Sequence, residues 1–242
     1  MSFDNVEIDM FLNETYLKYG IRQYTKWKSS RDAHFLVFGI TGGGKTIGAK
    51  IILARVAKKI PDSQIYIADY KGDSDYEALK DSKRFYRFMD CKKCIDEFYL
   101  LLHKRQSGED KSRNFCLLFF DEWGAFISSL DKKVAEEIKQ KMGMLLMLSR
   151  SYNLHIGLCQ QRPDTSFYSA GSRDQFGLII SIGKITETAK EMLFKDYKSQ
   201  MKCDRKRGTG YMVNNGELIP FQVPYISDMS KIDYYIKEAV NR

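Results

Sequence analysis

The sequence predicts an α/β fold built on a mostly parallel central sheet with helices on both of its faces. Five short apolar runs, rich in β-branched and aromatic residues, alternate with longer segments of helical periodicity. Continuous apolar runs of this kind are typical of strands that are buried on both faces. The predicted strands are residues 35–40, 64–69, 115–121, 154–159 and 177–182. Because strands and helices alternate, we expect the strands to run parallel.

The predicted helices lie between those strands and after them. In residues 131–150 the apolar side chains recur every three or four positions, which places them on one face of a helix. Residues 45–59, 92–105 and about 229–240 show similar patterns. After Gly208 the pattern changes to two short β runs around Asn-Asn-Gly at 214–216, which predicts a C-terminal β-hairpin.

The composition is that of one folded domain. A chain of 242 residues with 43% hydrophobic and 29% charged residues is long enough for one substantial core but short for two. Residues 1–30 show no clean period, and we expect an arm or short helix there, with residues 31–242 forming the main domain. The sequence has no signal-like segment and no apolar stretch of membrane-spanning length, so we expect a cytoplasmic protein.

Residues 39–46 match a phosphate-binding loop. The sequence Gly-Ile-Thr-Gly-Gly-Gly-Lys-Thr fits G-x-x-x-x-G-K-[ST] and follows a predicted strand and precedes a predicted helix. Glycines let successive backbone N–H groups point at phosphate oxygens, and the helix adds its positive end. The residues expected to bind ATP are Thr41, Gly42, Gly43, Gly44, Lys45 and Thr46. In this arrangement Lys45 reaches the β- and γ-phosphates and the Thr46 hydroxyl ligates Mg²⁺. The alternative is a plain glycine-rich turn.

An acidic pair follows the third predicted strand. Asp121 and Glu122 end the run Cys-Leu-Leu-Phe-Phe-Asp-Glu, at the carboxyl end of the strand, where ligands bind in open α/β sheets. We expect Asp121 to hold Mg²⁺ through water and Glu122 to act as the catalytic base toward the attacking water. An acid at the second position favours ATP hydrolysis over a small-molecule kinase or a switch GTPase. The alternative is a carboxylate pair that merely ends a strand.

The phosphate loop and the acidic pair, in this order, resemble those of the FtsK/HerA family of DNA-translocating ATPases. The chain is similar to the FtsK/SpoIIIE motor domain, reduced to its minimal core. Beyond the phosphate loop, the similar stretches are Asp69-Tyr-Lys71 after the second strand, Ser-Arg-Ser-Tyr-Asn-Leu-His-Ile-Gly-Leu-Cys-Gln-Gln-Arg-Pro-Asp at 149–164, and Arg-Gly-Thr-Gly-Tyr-Met at 207–212. The resemblance implies a RecA-like P-loop NTPase fold for residues 31–242, acting as an ATPase motor domain with ATP and Mg²⁺ as cofactors.

The resemblance also implies roles for individual residues. It implies that Gln161, in Gln-Arg-Pro at a strand end, is the polar sensor between the nucleotide and the DNA-facing parts, with an ordinary loop glutamine as the alternative. Ring motors of this family complete each site with an arginine from the next subunit. Arg173 is the first candidate for that catalytic arginine, with Arg150 and Arg162 as further candidates. The expected assembly is a homo-oligomeric ring, a hexamer or pentamer.

The net charge is +8, and a basic segment lies at residues 195–207, with six basic residues against two acidic ones. Lysine and arginine contacts to phosphates are independent of sequence, which suits a motor that tracks any DNA. The expected DNA contacts are Lys198, Lys202, Arg205, Lys206 and Arg207. A solvated helix end is the alternative for this segment.

The function predicted from these observations is ATP-driven translocation of double-stranded DNA, for conjugative or plasmid transfer or a mobile element. A relaxosome, replication or portal protein is an expected partner. Two alternatives remain: a viral genome-packaging ATPase of the same superfamily, and a non-motor P-loop ATPase that acts on protein.

Overall fold

A computed structural model describes residues 6–242, in which ten strands form one sheet. The strands are β1 (Glu7–Asn13), β2 (Tyr24–Lys28), β3 (His34–Phe38), β4 (Gln64–Asp69), β5 (Phe85–Arg87), β6 (Cys116–Asp121), β7 (Leu154–Gln160), β8 (Phe176–Ile182), β9 (Thr209–Asn214) and β10 (Glu217–Gln222). The helices are α1 (Glu14–Leu17), α2 (Lys45–Lys59), α3 (Cys91–Ser107), α4 (Trp123–Ser129), α5 (Lys132–Leu148), α6 (Glu187–Leu193) and α7 (Met229–Asn241).

The sheet has a parallel half and an antiparallel half. Its strand order is β2-β1-β10-β9-β8-β3-β7-β6-β4-β5. The strands from β8 to β5 run parallel to one another, whereas the pairs β2–β1, β1–β10, β10–β9 and β9–β8 are antiparallel. The predicted α/β fold, with a largely parallel sheet and a C-terminal hairpin of β9 and β10, is confirmed.

The prediction for the N-terminal segment is wrong where the structure describes it. Residues 6–28 contain two strands of the central sheet, because β1 pairs with β10 and β2 pairs with β1, and only four residues of helix. Ile8, Phe11 and Trp27 are fully buried. The register shifts between Asp9 and Leu12, which interrupts the two-residue alternation that reveals a strand in the sequence. Residues 1–5 lie outside the described part.

Two apolar layers hold the sheet between helices. On one face, α2 and α7 pack Ile52, Val56 and Ile236 against the strands. On the other face, α3, α4 and α5 contribute a second cluster that includes Phe98 and Leu145. Burying such side chains is the main favourable contribution to folding. Both faces of the parallel strands are thereby covered, as the continuous apolar runs predict. No helix within residues 6–242 is long and apolar enough to cross a lipid bilayer.

The strand order decides which loops meet. Strand β7 lies between β3, which leads into the phosphate loop, and β6, which ends in the acidic pair. In register, Phe38 of β3 faces Gln160 of β7, and Asp69 of β4 faces Asp121 of β6. Since these strands are parallel, their carboxyl ends lie along one edge of the sheet. The phosphate loop, Gln161 and Glu122 therefore share that edge.

Candidate nucleotide-binding site

The phosphate loop has the backbone geometry that its glycines predict. Gly44 has φ +105°, in a region that favours glycine, and immediately precedes helix α2. A β-carbon at Gly43 would lie 2.7 Å from the Ile182 carbonyl oxygen, so a side chain there would collide with β8. Lys45 is buried as the first residue of α2, and its Nζ donates to the Ile40 carbonyl over 3.2 Å. The lysine thus folds back over the loop.

Asp121, the first acid of the pair, is buried. Asp121 ends β6 beside Asp69 of β4 and is only 8% exposed. Burial raises the pKa of Asp121 to about 6, and the charges of Glu122 and Asp69 act in the same direction. A hydrogen bond with Cys159 and the charge of Lys45 oppose that rise in pKa. A divalent cation near Asp121 would favour its ionised form.

The second acid has an unusual backbone conformation and a specific partner. Glu122 has φ +61° and ψ +44°, left-handed values that are uncommon for a residue with a side chain, and it caps α4. The Gln161 amide nitrogen donates to both Glu122 carboxylate oxygens, over 3.2 and 3.4 Å. Backbone strain of this kind clusters at functional sites. The two residues predicted to be catalytic base and sensor are therefore in direct contact.

A cavity of about 210 Å³ lies over the phosphate loop. Besides residues of the loop and the start of α2, its lining includes Glu122, three residues that follow β4 and one residue that precedes β9. These other lining residues are Lys71, Asp73, Asp75 and Arg207. Lys71 Nζ contacts the Asp73 carboxylate at 3.1 Å, and this pair is solvent-exposed.

The residues of this site fit a nucleoside triphosphate with its magnesium ion. The loop has no side chains at Gly42, Gly43 and Gly44, so its backbone N–H groups can approach phosphates closely. Lys45 adds a positive charge at the cavity wall. Thr46 also lines the cavity, and its hydroxyl together with the Asp121 carboxylate is the hard oxygen donor set that Mg²⁺ prefers.

The three candidate arginines occupy different places. Arg150 donates to the Ser30 carbonyl over 2.8 Å, before the start of β7 and thus at the edge opposite the phosphate loop. Arg173 donates to the Pro163 and Met192 carbonyls, each over 3.4 Å. Arg162 lines a larger cavity of about 700 Å³ that adjoins the loop at Thr41. None of them lines the phosphate cavity of its own chain, and a role toward a neighbouring subunit stays a prediction.

The structure separates the five basic residues predicted to contact DNA. Lys198, Lys202 and Lys206 are exposed, with Lys198 paired to Glu191 at 2.6 Å. Arg205 is largely buried, where it bonds Glu14 at 2.6 Å and stacks on the Tyr211 ring. Arg207 lines the phosphate cavity. The Arg205 guanidinium holds helix α1 against the hairpin, and a DNA contact by Arg205 stays a prediction.

Sequence reasoning did not place Lys71, Asp73 and Asp75 in the cavity, although a sequence signal for them exists. They follow β4 at its carboxyl end, the same edge as the phosphate loop. Arg207 carries no such signal, because its place depends on how the hairpin packs against the loop. That packing is a tertiary contact with no local pattern.

The fold and this site define a P-loop nucleotide-binding protein. A model of the family described as "Helicase HerA, central domain" matches residues 18–143. The chain therefore belongs to that family of FtsK/HerA P-loop ATPases, which confirms the resemblance seen in the sequence. It is 28% identical over 220 residues to the FtsK domain-containing protein YdcQ of Bacillus subtilis (strain 168), covering 85% of this chain but 46% of that relative. The chain thus spans less than half of the relative's length.

Solved structures share the fold at low sequence identity. The pCW3 conjugation coupling protein TcpA, solved with ATPγS, superposes with a TM-score of 0.72 at 18% identity, covering 97% of this chain and 71% of that one. The cytoplasmic domain of the type VII secretion ATPase EccC of Thermomonospora curvata superposes with a TM-score of 0.71 at 16% identity, covering 98% of this chain and 31% of that one. The shared fold thus occurs in one protein named for conjugation and in another named for secretion.

Proposed function

We propose that this chain hydrolyses ATP to move double-stranded DNA, as one subunit of a ring. The observation that carries the proposal is the hydrogen bond between Gln161 and Glu122 at the edge of the phosphate cavity. This bond connects Glu122, the residue suited to activate water, to the segment that follows β7. A change at the phosphate site can thereby move the segment that begins at Gln161.

Each side chain of the site has a distinct role in this proposal. Bound ATP with Mg²⁺ supplies the phosphoryl group and a divalent charge. The phosphate loop and Lys45 bind the phosphates, and the Thr46 hydroxyl and the Asp121 carboxylate hold the metal ion. Glu122 accepts a proton from the attacking water, and Gln161 orients the Glu122 carboxylate.

The DNA part of the proposal depends on charge and on the similarity to a conjugation coupling protein. Within the basic segment of residues 195–207, the side chains of Lys198, Lys202 and Lys206 are exposed. Each lysine can contact a backbone phosphate of any sequence, so binding would weaken as salt rises. An arginine of the neighbouring subunit, Arg173 or Arg150, completes the site in the ring.

Two other functions compete with this proposal, movement of a protein and packaging of a viral genome. The fold shared with a secretion ATPase favours a protein cargo as the second candidate. Packaging of a viral genome would use the same site and the same basic segment. A protein-moving ATPase has no need to bind DNA, so duplex binding by the isolated chain separates this candidate from the two DNA motors.

Displacement of a third strand tests translocation directly. A duplex carries a labelled triplex-forming oligonucleotide, which a motor moving along the duplex strips off. We expect the wild-type chain to release the oligonucleotide when ATP is present, whereas Glu122→Gln should not. A wild-type chain that hydrolyses ATP but releases none, at any duplex length or salt concentration that permits binding, contradicts the DNA motor and favours the protein cargo.

A further inference from the structure

The turn that precedes β9 lies against the phosphate loop. The Gly208 amide donates to the Gly43 carbonyl over 2.9 Å. A β-carbon at Gly44 would lie 3.4 Å from the Gly208 nitrogen. The Gly208 carbonyl accepts from the Val223 amide over 2.7 Å. The backbone of the loop and the chain after the hairpin therefore hold residue 207 beside the phosphate loop.

Arg207 is solvent-exposed and forms part of the wall of the phosphate cavity. It lines this cavity together with Thr41, Lys45 and Glu122. Within residues 6–242 its guanidinium has no hydrogen-bond or ion-pair partner. Arg205, two residues earlier, has its guanidinium bonded to Glu14 and to two backbone carbonyls. Arg207 is thus an available cation at the wall of a phosphate cavity, whereas Arg205 is a structural one.

We propose that Arg207 binds the phosphates of the nucleotide that the loop of the same chain holds. The inference depends on the proposed function in one respect, namely that the loop binds ATP. A guanidinium presents a planar fork of N–H donors that can bond two phosphate oxygens at once. Lys45 is a single point charge at the cavity, so the two residues supply different contacts. Arg207 therefore acts as a ligand for phosphate within its own subunit.

Two sources of phosphate compete for Arg207, the nucleotide and the DNA backbone. The position of Gly208 against Gly43 and Gly44 favours the nucleotide, because the loop backbone is the predicted phosphate cradle. Lys206 provides a matched control, since it is exposed, carries the same charge, is the adjacent residue and does not line the cavity. Both residues lie outside the core, so replacement by alanine should leave the fold intact.

The test measures nucleotide and DNA binding separately. The dissociation constant of a fluorescent ATPγS derivative is measured with Mg²⁺ and without DNA, for wild type, Arg207→Ala, Arg207→Lys, Lys206→Ala and Lys45→Ala. We expect Arg207→Ala to raise the constant about 10- to 100-fold, since hydrogen bonds to charged groups are lost. Arg207→Lys should recover part of that loss. Lys206→Ala should stay within about twofold of wild type and instead weaken binding of a labelled duplex.

Three outcomes overturn the inference. In the first, Arg207→Ala binds nucleotide as well as wild type does, while Lys45→Ala has lost binding; the loop's role then survives and only the role of Arg207 fails. In the second, Lys206→Ala and Arg207→Ala weaken nucleotide binding equally, which indicates general electrostatic attraction. In the third, Arg207→Ala weakens duplex binding alone. A wild-type chain that binds no nucleotide would instead contradict the proposed function.

Discussion

Gln161, the residue directly after β7, donates an amide N–H to the carboxylate of Glu122, the residue directly after β6, over 3.2 Å. The two residues are 39 positions apart in sequence and meet because β7 pairs with β6. A carboxylate that accepts this bond is held in one orientation beside the phosphate cavity. The contact makes the two residues a unit, so replacing either one should impair the same step.

Replacing Gln161 by leucine should slow hydrolysis without weakening nucleotide binding. Leucine removes the donor that orients Glu122 but leaves the phosphate loop untouched. We expect ATP turnover to fall about 10- to 100-fold, with nucleotide affinity within about threefold of wild type. Gln106→Leu, at an exposed position on α3, is the control and should turn over ATP normally. Normal turnover by Gln161→Leu would show that the hydrogen bond has no catalytic role.

Replacing Glu122 by glutamine should slow hydrolysis strongly and should stabilise the nucleotide-free chain against unfolding. Asp69, Asp121 and Glu122 are three buried acids at one strand edge, and removing one charge relieves their repulsion. We expect turnover to fall about 10²- to 10⁴-fold and the free energy of unfolding to rise by about 1 kcal/mol. Rate assays and urea unfolding measure the two effects. Glu217→Gln, at an exposed position, should change neither, and an active Glu122→Gln variant would exclude Glu122 as the base.

Replacing Trp27 by alanine tests whether the N-terminal strands belong to the domain core. Trp27 is fully buried, contacts the rings of Phe35 and Phe115, and donates its indole N–H to the Asp32 carbonyl over 2.6 Å. The cavity left behind should lower the free energy of unfolding by about 3–5 kcal/mol in urea titrations. Tyr19→Ala, at a site that is 79% exposed, should cost little. Equal stability of the two variants would contradict a core role for β2.

Two buried histidines should make the chain lose stability as pH falls. Burial lowers the pKa of His34 to about 3 and the pKa of His155 to about 4, whereas in the unfolded chain a histidine titrates near its ordinary value of about 6.5. Below that pH the unfolded state binds protons that the folded state does not. Stability is therefore complete above about pH 6.5 and decreases from there toward pH 4.

Between pH 7 and pH 5 each buried histidine should reduce the free energy of unfolding by about 2 kcal/mol. Urea titrations at pH 7 and pH 5 measure this decrease in the free energy of unfolding. In His155→Gln the decrease between the two pH values should be smaller than in wild type by about 2 kcal/mol, whatever the variant's stability at pH 7. The control is His103→Gln, at an exposed position on α3, which should leave the pH dependence as in wild type. An unchanged pH dependence in His155→Gln would contradict this assignment.

The parallel half of the sheet was predictable because its strands are continuous apolar runs of ordinary length. Helix α2 begins at Lys45 as the phosphate-loop motif requires. The short elements were missed for a physical reason: β5 has only three residues, and α4 starts directly after Glu122 with no loop to separate it from β6. Segments this short have no room for a periodic pattern.

The placement of the candidate site residues could be predicted where a sequence motif carries it, and not where it depends on tertiary packing. The acids and Lys45 come from contiguous motifs, and Gln161 from a strand end. Arg205 and Arg207 belong to one basic run in the sequence, yet one bonds Glu14 and the other lines the phosphate cavity. Charge counting cannot separate them, because the difference arises from how the turn before β9 packs on the loop.

The central claim is that ATP hydrolysis at this site drives movement along DNA, and the rate of ATP turnover with and without duplex DNA tests it most directly. We expect the wild-type chain to hydrolyse ATP faster with duplexes of unrelated sequence, and the stimulation to fall as salt rises. Lys45→Ala should show no turnover under either condition. Turnover that is the same with duplex, with single-stranded DNA and with no DNA would contradict the account.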